Sequence, residues 1–281
     1  MSRLQACFAR LQAEQRKALI PYIMTGDPHP DVSVPLMHAM VAAGANIIEL
    51  GAPFSDPMAD GPVIQAAAER ALEFNISLDD VFDAVRGFRK LDDVTPVVMM
   101  GYLNLIEVAG YDVFAQRAAD AGIDGVITVD MPPEEAEDYI AALEKAGLDP
   151  VFLVAPTSTN ERIDKIGAVA SGFVYYVSLK GVTGAANLDV DSVRRKVDDI
   201  RQRIDLPIGV GFGISDAETA ARVSACSDAV VVGSAIVKRM AAHNNHTPDQ
   251  TKLIIRDVSE LLASMRKAMD SNAVQEITRT A

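Results

Sequence analysis

Short, nearly unbroken apolar runs, each ending in small or polar residues, recur along the chain. They fall at Ala18–Met24, Ile47–Leu50, Val97–Met100, Gly125–Val129, Val151–Val154, Phe173–Val177, Ile208–Val210 and Ala229–Val232. A strand that is apolar on both faces is the mark of a parallel sheet covered on both sides. Stretches of helical character separate the runs, among them Pro133–Ala146 and Val190–Ile204. Pro133-Glu134-Glu135 puts proline in a first helical turn and acids at the positive end of the helix dipole. The gap between the second and third runs is longer than the rest, with room for a loop at Pro53–Gly61 and two helices. Thr247–Met269 reads as one further amphipathic helix. Eight β units alternating with helices predict a single-domain (β/α)8 TIM barrel over residues 1–270. Extra helices are expected at the N-terminus, after strand 2 and at the C-terminus, and 271–281 reads as a frayed tail. An open doubly wound sheet is the alternative; the count of units and the chain length favour the barrel.

In such a barrel the chemistry gathers at the C-terminal ends of the strands. The residues there are Asp27, Glu49, Tyr102, Asp130, Tyr175, Ser178, Gly211, Gly213, Gly233 and Ser234. Strand alternation places Ile47, Glu49 and Gly51 on one face and Ile48 and Leu50 on the other. A carboxylate at the mouth of the lumen is partly desolvated, which lifts its pKa toward the acid/base range. The plainer role for Glu49 is a structural acid bonded to backbone amides. The loop that follows, Ala52-Pro53-Phe54-Ser55-Asp56-Pro57-Met58-Ala59-Asp60-Gly61-Pro62, is stiffened by its prolines and turns into a helix from about Val63. Asp60 read locally is a helix cap, although a loop this long after a barrel strand usually has a function. Phe54 and Met58 are large apolar groups in a segment otherwise suited to solvent, which suggests a lid or a partner surface.

Three glycine-bearing loops follow the last three strands: Lys180-Gly181-Val182-Thr183-Gly184, Gly211-Phe212-Gly213-Ile214-Ser215 and Gly233-Ser234-Ala235. Each precedes a helix. Glycine lets backbone approach a ligand, and helix N-termini offer unpaired amides. Gathered around strands seven and eight, the three predict a phosphate site. Other candidates carry less. His243 and His246 lie in a polar stretch with no carboxylate or cysteine beside them, so no metal site is expected. His29 and His38 stand alone. Cys7 and Cys226 have no histidine base at a recognisable spacing, and no nucleotide-binding fingerprint occurs. Met37, Met40, Met99 and Met100 suit the core.

Composition narrows the partners. Of 281 residues 49% are hydrophobic and 23% charged, which is globular. The formal net charge of −13 disfavours nucleic acid and anionic membrane surfaces, yet leaves room for one small anion held by backbone amides. Two cysteines exclude a disulfide framework and fit a reducing compartment. No apolar run approaches the roughly 18 residues of a membrane span, and the charged N-terminal stretch lacks a signal-peptide core. Cytoplasmic location is the expectation.

The segment Leu50–Gln65, with Glu49 before it, closely resembles the signature of the tryptophan synthase alpha chain family. Thr25-Gly26-Asp27-Pro28, Met100-Gly101-Tyr102-Leu103-Asn104, Asp130-Met131-Pro132, Gly181–Gly184, Gly211–Ser215 and Gly233–Val237 match it in order over nearly the whole chain. Leu179-Lys180 departs from the Arg-Ser of many relatives, in a loop that closes over ligand. The resemblance implies a lyase that cleaves indole-3-glycerol phosphate to indole and glyceraldehyde 3-phosphate, with Glu49 as acid/base and Asp60 accepting the indole N–H. It implies that Tyr175 positions substrate, that Thr183 orients Asp60, and that Phe212 and the backbones of Gly184, Gly213, Gly233 and Ser234 hold substrate and phosphate. It further implies no cofactor in this chain. The partner would be a beta chain carrying pyridoxal phosphate, in an αββα tetramer that passes indole through a tunnel and meets Phe54, Asp56, Asn104 and Pro132. On the residues alone, another phosphate-anchored barrel enzyme of the sugar-phosphate isomerase type, or a non-catalytic binding subunit, remains open.

Overall fold

Eight parallel strands close on themselves in a computed structural model that describes residues 2–178, 189–211, 213–244 and 247–280. They are β1 (Ala18–Met24), β2 (Ile48–Gly51), β3 (Val97–Gly101), β4 (Gly125–Thr128), β5 (Asp149–Val154), β6 (Val174–Val177), β7 (Ile208–Gly211) and β8 (Ala229–Val232), paired in sequence order with β8 returning to β1. Each apolar run became a strand, its ends displaced by two residues or fewer. Their side chains are buried on both faces because one face fills the lumen and the other lies under helices. On β1, for example, Leu19 and Ile23 pack outward with Leu36, Met40 and Phe88 of the surrounding helices. Ile20 points inward to a layer formed with Ile47, Val98, Ile127, Val151 and Phe173.

The helices in chain order are α1 (Arg3–Ala13), α2 (Ser33–Ala42), α3 (Pro62–Leu72), α4 (Leu78–Arg89), α5 (Leu103–Ala109), α6 (Tyr111–Ala121), α7 (Glu137–Lys145), α8 (Asn160–Val169), α9 (Val190–Arg201), α10 (Ala217–Ser224), α11 (Ser234–Ala241) and α12 (Pro248–Thr280). The expected extra helices are α1, the α3–α4 pair after β2, and α12. Two helical spans came out shorter than their sequence signals. Pro133–Glu135 is a separate 3-10 turn, divided from α7 by Ala136, whose φ of −96° and ψ of 5° break the helical path. The α9 helix stops at Arg201 rather than Ile204. The closing helix, expected over Thr247–Met269, runs on to Thr280, as no glycine or proline interrupts 249–280.

One end of the lumen is plugged. Leu4, Cys7, Phe8 and Leu11 of α1 join the inward-facing layer. Two buried acids at the N-terminal ends of the barrel fasten the plug: Ser2 donates to Asp149 at 2.7 Å, and Arg3 pairs with Asp124 at 2.9 Å. With that end closed among the described residues, the lumen is open at its C-terminal mouth. No described helix is long and apolar enough to cross a membrane.

Candidate active site

A cavity of about 430 Å³ opens at the C-terminal mouth. Glu49 and Asp60 both line it, with Tyr22 and Tyr175 from β1 and β6, and Gly213, Gly233 and Ser234 from the β7 and β8 turns. The apolar wall comes from Ile64, Met100, Val129, Leu153, Val177 and Val231. Its size suits a drug-sized organic molecule, and few polar groups converge on it.

Glu49 sits in β2 opposite Tyr22 of β1 and Val98 of β3. It is only 1% exposed, and its Oε2 has no hydrogen-bond partner among the described residues. A structural acid would be bonded to amides; this oxygen is left to the cavity. Burial pushes the Glu49 pKa up to about 8, with a further push from the Asp60 charge. At pH 7 the group is a carboxylic acid able to donate.

Asp60 does not cap the helix that follows it. The N-cap of α3 is Gly61, Pro62 supplies the first turn, and no side chain bonds the helix amides. Gln65 instead fastens the loop by donating Nε2 to the Asp60 and Pro57 carbonyls at 2.9 and 3.3 Å. The Asp60 side chain, thus released, receives the Tyr102 hydroxyl at 3.2 Å, while the Ala59 N–H donates to that same phenol oxygen at 3.0 Å. Burial raises the Asp60 pKa to about 6, opposed by the Tyr102 hydrogen bond. At pH 7 Asp60 is therefore mostly ionised beside a mostly protonated Glu49.

Two glycines exist to admit the two tyrosines. A Cβ on Gly51 would overlap the Tyr22 hydroxyl, and one on Gly211 would overlap the Tyr175 ring. The sequence grouped Gly211 with the anion-binding turns; its place is in β7, beneath Tyr175. Gly213, at φ +75°, takes the left-handed turn that brings backbone to the cavity. Next to it, Gly233 precedes α11, whose first intrahelical bonds run from Ile236 and Val237 to the Gly233 carbonyl. The Ser234 and Ala235 amides come before those bonds and are left without intrahelical partners at the helix N-terminus. Thr183, Gly184 and Phe212, like the whole Leu179–Leu188 loop and His246, lie outside the described residues.

Other strand-end candidates are structural. Asp27 is fully buried in a two-point pair with Arg70 of α3 at 2.6 and 3.0 Å. Asp130 accepts the Leu103 N–H at 2.7 Å, and Ser178 donates to the Gly211 carbonyl at 2.8 Å. His243 pairs with Asp257 at 2.7 Å, and no cluster of metal-ligating side chains occurs among the described residues. The sequence places Tyr102 at a strand end without a role, and does not single out Tyr22, Lys238 or Arg239. Tyr22 could have been found by strand alternation, two residues from Ile20 on the inward face; the two cations had no local signal.

Phe54, Asp56, Asn104 and Pro132 fall on loops and first turns after β2, β3 and β4, on one sector of the same rim. Phe54 stacks on Tyr102 with ring centroids 5.2 Å apart. Asp56 and Asn104 are exposed, and Pro132 is half-buried. Met58, between Phe54 and Asp60, is 86% exposed.

A closed (β/α)8 barrel, with a protonated acid and an ionised carboxylate over one cavity and glycine turns at β7 and β8, defines a class of protein: the barrel enzymes that use acid–base chemistry on an anionic substrate. Comparison with known proteins makes this particular. Residues 8–269 match the family model described as tryptophan synthase alpha chain, and the chain belongs to that family. It is 62% identical over 270 residues to the tryptophan synthase alpha chain of Thioalkalivibrio sulfidiphilus, covering 96% of this chain and 100% of that one. It is 57% identical over 271 residues to that of Nitrosococcus oceani, covering 96% and 98%. Among solved structures, tryptophan synthase subunit alpha from Legionella pneumophila str. Paris superposes with a TM-score of 0.88 at 44% identity, covering 96% of this chain and 99% of that chain.

Proposed function

We propose that Glu49 and Asp60 carry out, in this chain, the lyase reaction of its family: retro-aldol cleavage of indole-3-glycerol phosphate to indole and glyceraldehyde 3-phosphate. The observation that carries the assignment is the pairing itself, two carboxyl groups on one cavity held in opposite protonation states by unequal burial. Glu49, protonated at pH 7, donates its proton to the indole ring carbon that bears the glycerol chain. The positive charge then centred on the indole nitrogen is met by ionised Asp60, which accepts the N–H, an interaction that strengthens as the charge develops. The carbon–carbon bond breaks, its electron pair returning to the ring. Glu49, now a carboxylate, takes the proton of the adjacent hydroxyl, which becomes the aldehyde. Proton count balances, and Glu49 ends as it began. Tyr175 flanks the indole. The Gly213, Gly233 and Ser234 amides hold the phosphate, joined by Gly184 and Phe212, and Thr183 orients Asp60.

We assign the rim bearing Phe54, Asp56, Asn104 and Pro132 to a tryptophan synthase beta chain, in an αββα tetramer where indole passes inward and pyridoxal phosphate belongs to the partner. The exposed Met58 and the stacked Phe54 support this, since an apolar group on that rim gains by being covered. A cytoplasmic setting agrees with two buried free thiols, Cys7 and Cys226.

The test is indole release from indole-3-glycerol phosphate, alone and with a beta chain. The chain has no tryptophan, so indole fluorescence stands out. Glu49→Gln, a near-isostere that carries no transferable proton, should lower kcat by about 10² or more with substrate still binding. Absence of indole from the unaltered protein would overturn the assignment.

A further inference from the structure

Among the described residues, four charged side chains line the cavity: Glu49, Asp60, Lys238 and Arg239. The first two are accounted for. Lys238 and Arg239 belong to α11, which starts at Ser234 beside the Gly233 turn. We propose that they form a cationic wall that neutralises the substrate's phosphate and sets the site's preference for a dianionic phosphate ester. This deepens, and rests on, the reading of the cavity as the indole-3-glycerol phosphate site.

Helix geometry brings them there. Lys238 is four residues beyond Ser234, so the two share a face, and a long helical side chain runs back toward the N-terminus of its helix. Arg239 shows that course directly: its guanidinium donates to the Ala235 carbonyl at 2.8 Å, one turn back. That bond uses one of about five guanidinium donors. Lys238 is exposed and has neither hydrogen bond nor ion pair among the described residues.

Charge magnitudes say what the pair is for. A phosphate monoester carries about −1.5 to −2 charges at pH 7. The α11 N-terminus contributes the equivalent of about +0.5. Backbone amides alone leave about one to one and a half negative charges uncompensated, in a protein whose overall field repels them. Two cations one turn behind the amides close that deficit, and they discriminate against an uncharged analogue that the amides alone would accept.

The experiment uses the full chain and three variants: Lys238→Gln, the double change Lys238→Gln with Arg239→Gln, and Lys90→Gln. Lys90, exposed at the C-terminal end of α4, removes the same charge without touching the cavity. KM for indole-3-glycerol phosphate should rise about tenfold in Lys238→Gln, as for loss of one charge-assisted contact, and further in the double variant. The kcat should stay within about twofold, and the rise of KM with added salt should flatten. Inorganic phosphate, titrated calorimetrically, should lose affinity in parallel. Lys90→Gln should change neither quantity. If the double variant keeps KM and phosphate affinity within twofold, or Lys90→Gln reproduces the loss, the proposal fails while the cleavage assignment stands. If the unaltered protein releases no indole, the cleavage assignment fails and phosphate titration alone decides the cationic wall.

Discussion

Removal of one hydroxyl, in Tyr102→Phe, isolates the electrostatics of Asp60. The phenol donates to Asp60 at 3.2 Å and accepts from the Ala59 N–H at 3.0 Å, so it both favours the ionised carboxylate and pins the loop that carries it. With a pKa of about 6, Asp60 is ionised roughly ten to one at pH 7. A hydrogen bond to a charged group contributes about 1.5–3 kcal/mol, of which a half-buried site retains the lower part. Its loss lifts the Asp60 pKa by about one unit, since a unit corresponds to about 1.4 kcal/mol. Asp60 would then be half ionised at pH 7. On ionisation alone kcat/KM should fall about twofold at pH 7 and about fivefold at pH 6, and be nearly restored at pH 8. The assay is indole release from indole-3-glycerol phosphate across pH 5.5–8.5, roughly the span of the two carboxyl groups. An acid limb that stays in place, or a loss equal at every pH, would show that Tyr102 acts by packing against Phe54 and not through Asp60.

Two further outcomes follow from the same site. Glu49 has a folded pKa of about 8 against an ordinary value of 4.5, so between those pH values the folded state holds a proton that the unfolded chain has released. Stability should therefore decline as pH rises from about 4.5 to 8, by up to about 5 kcal/mol from this group. In Glu49→Gln that part of the pH dependence should vanish, seen as a smaller drop in Tm between pH 6 and pH 9; an identical drop would contradict the burial argument. Gly211→Ala should cost about 1–3 kcal/mol and raise KM, because the new methyl displaces the Tyr175 ring. A Tm and KM both unchanged would mean that the ring has another place to go.

Strand positions were legible in the chain because a parallel barrel buries both faces of every strand. The resulting runs, such as Ala18–Met24 and Ala229–Val232, hold no polar positions to blur their ends. The inward face of Glu49 was legible for a related reason, as strand alternation is a strict twofold period. A buried carboxylate among aliphatic neighbours is itself a signal, and the direction of its pKa shift needs only burial. The Leu50–Gln65 motif, with three prolines and two acids, carries the family resemblance in the chain itself.

Side-chain partnership was not legible, because it depends on residues far apart in sequence. Local propensity suits Asp60 to a helix cap as well as to a cavity. The decision came from Gly61 taking the cap and from Tyr102, 42 residues on, offering its hydroxyl. Gly211 and Gly213 look alike in the chain, yet one makes room for a ring and the other turns backbone toward the cavity. Lys238 reads as any solvated helix lysine until the barrel sets its helix against the mouth. Periodic burial is a one-dimensional property that the chain carries in its own spacing; convergence on a point is three-dimensional, and closure of β8 onto β1 created it.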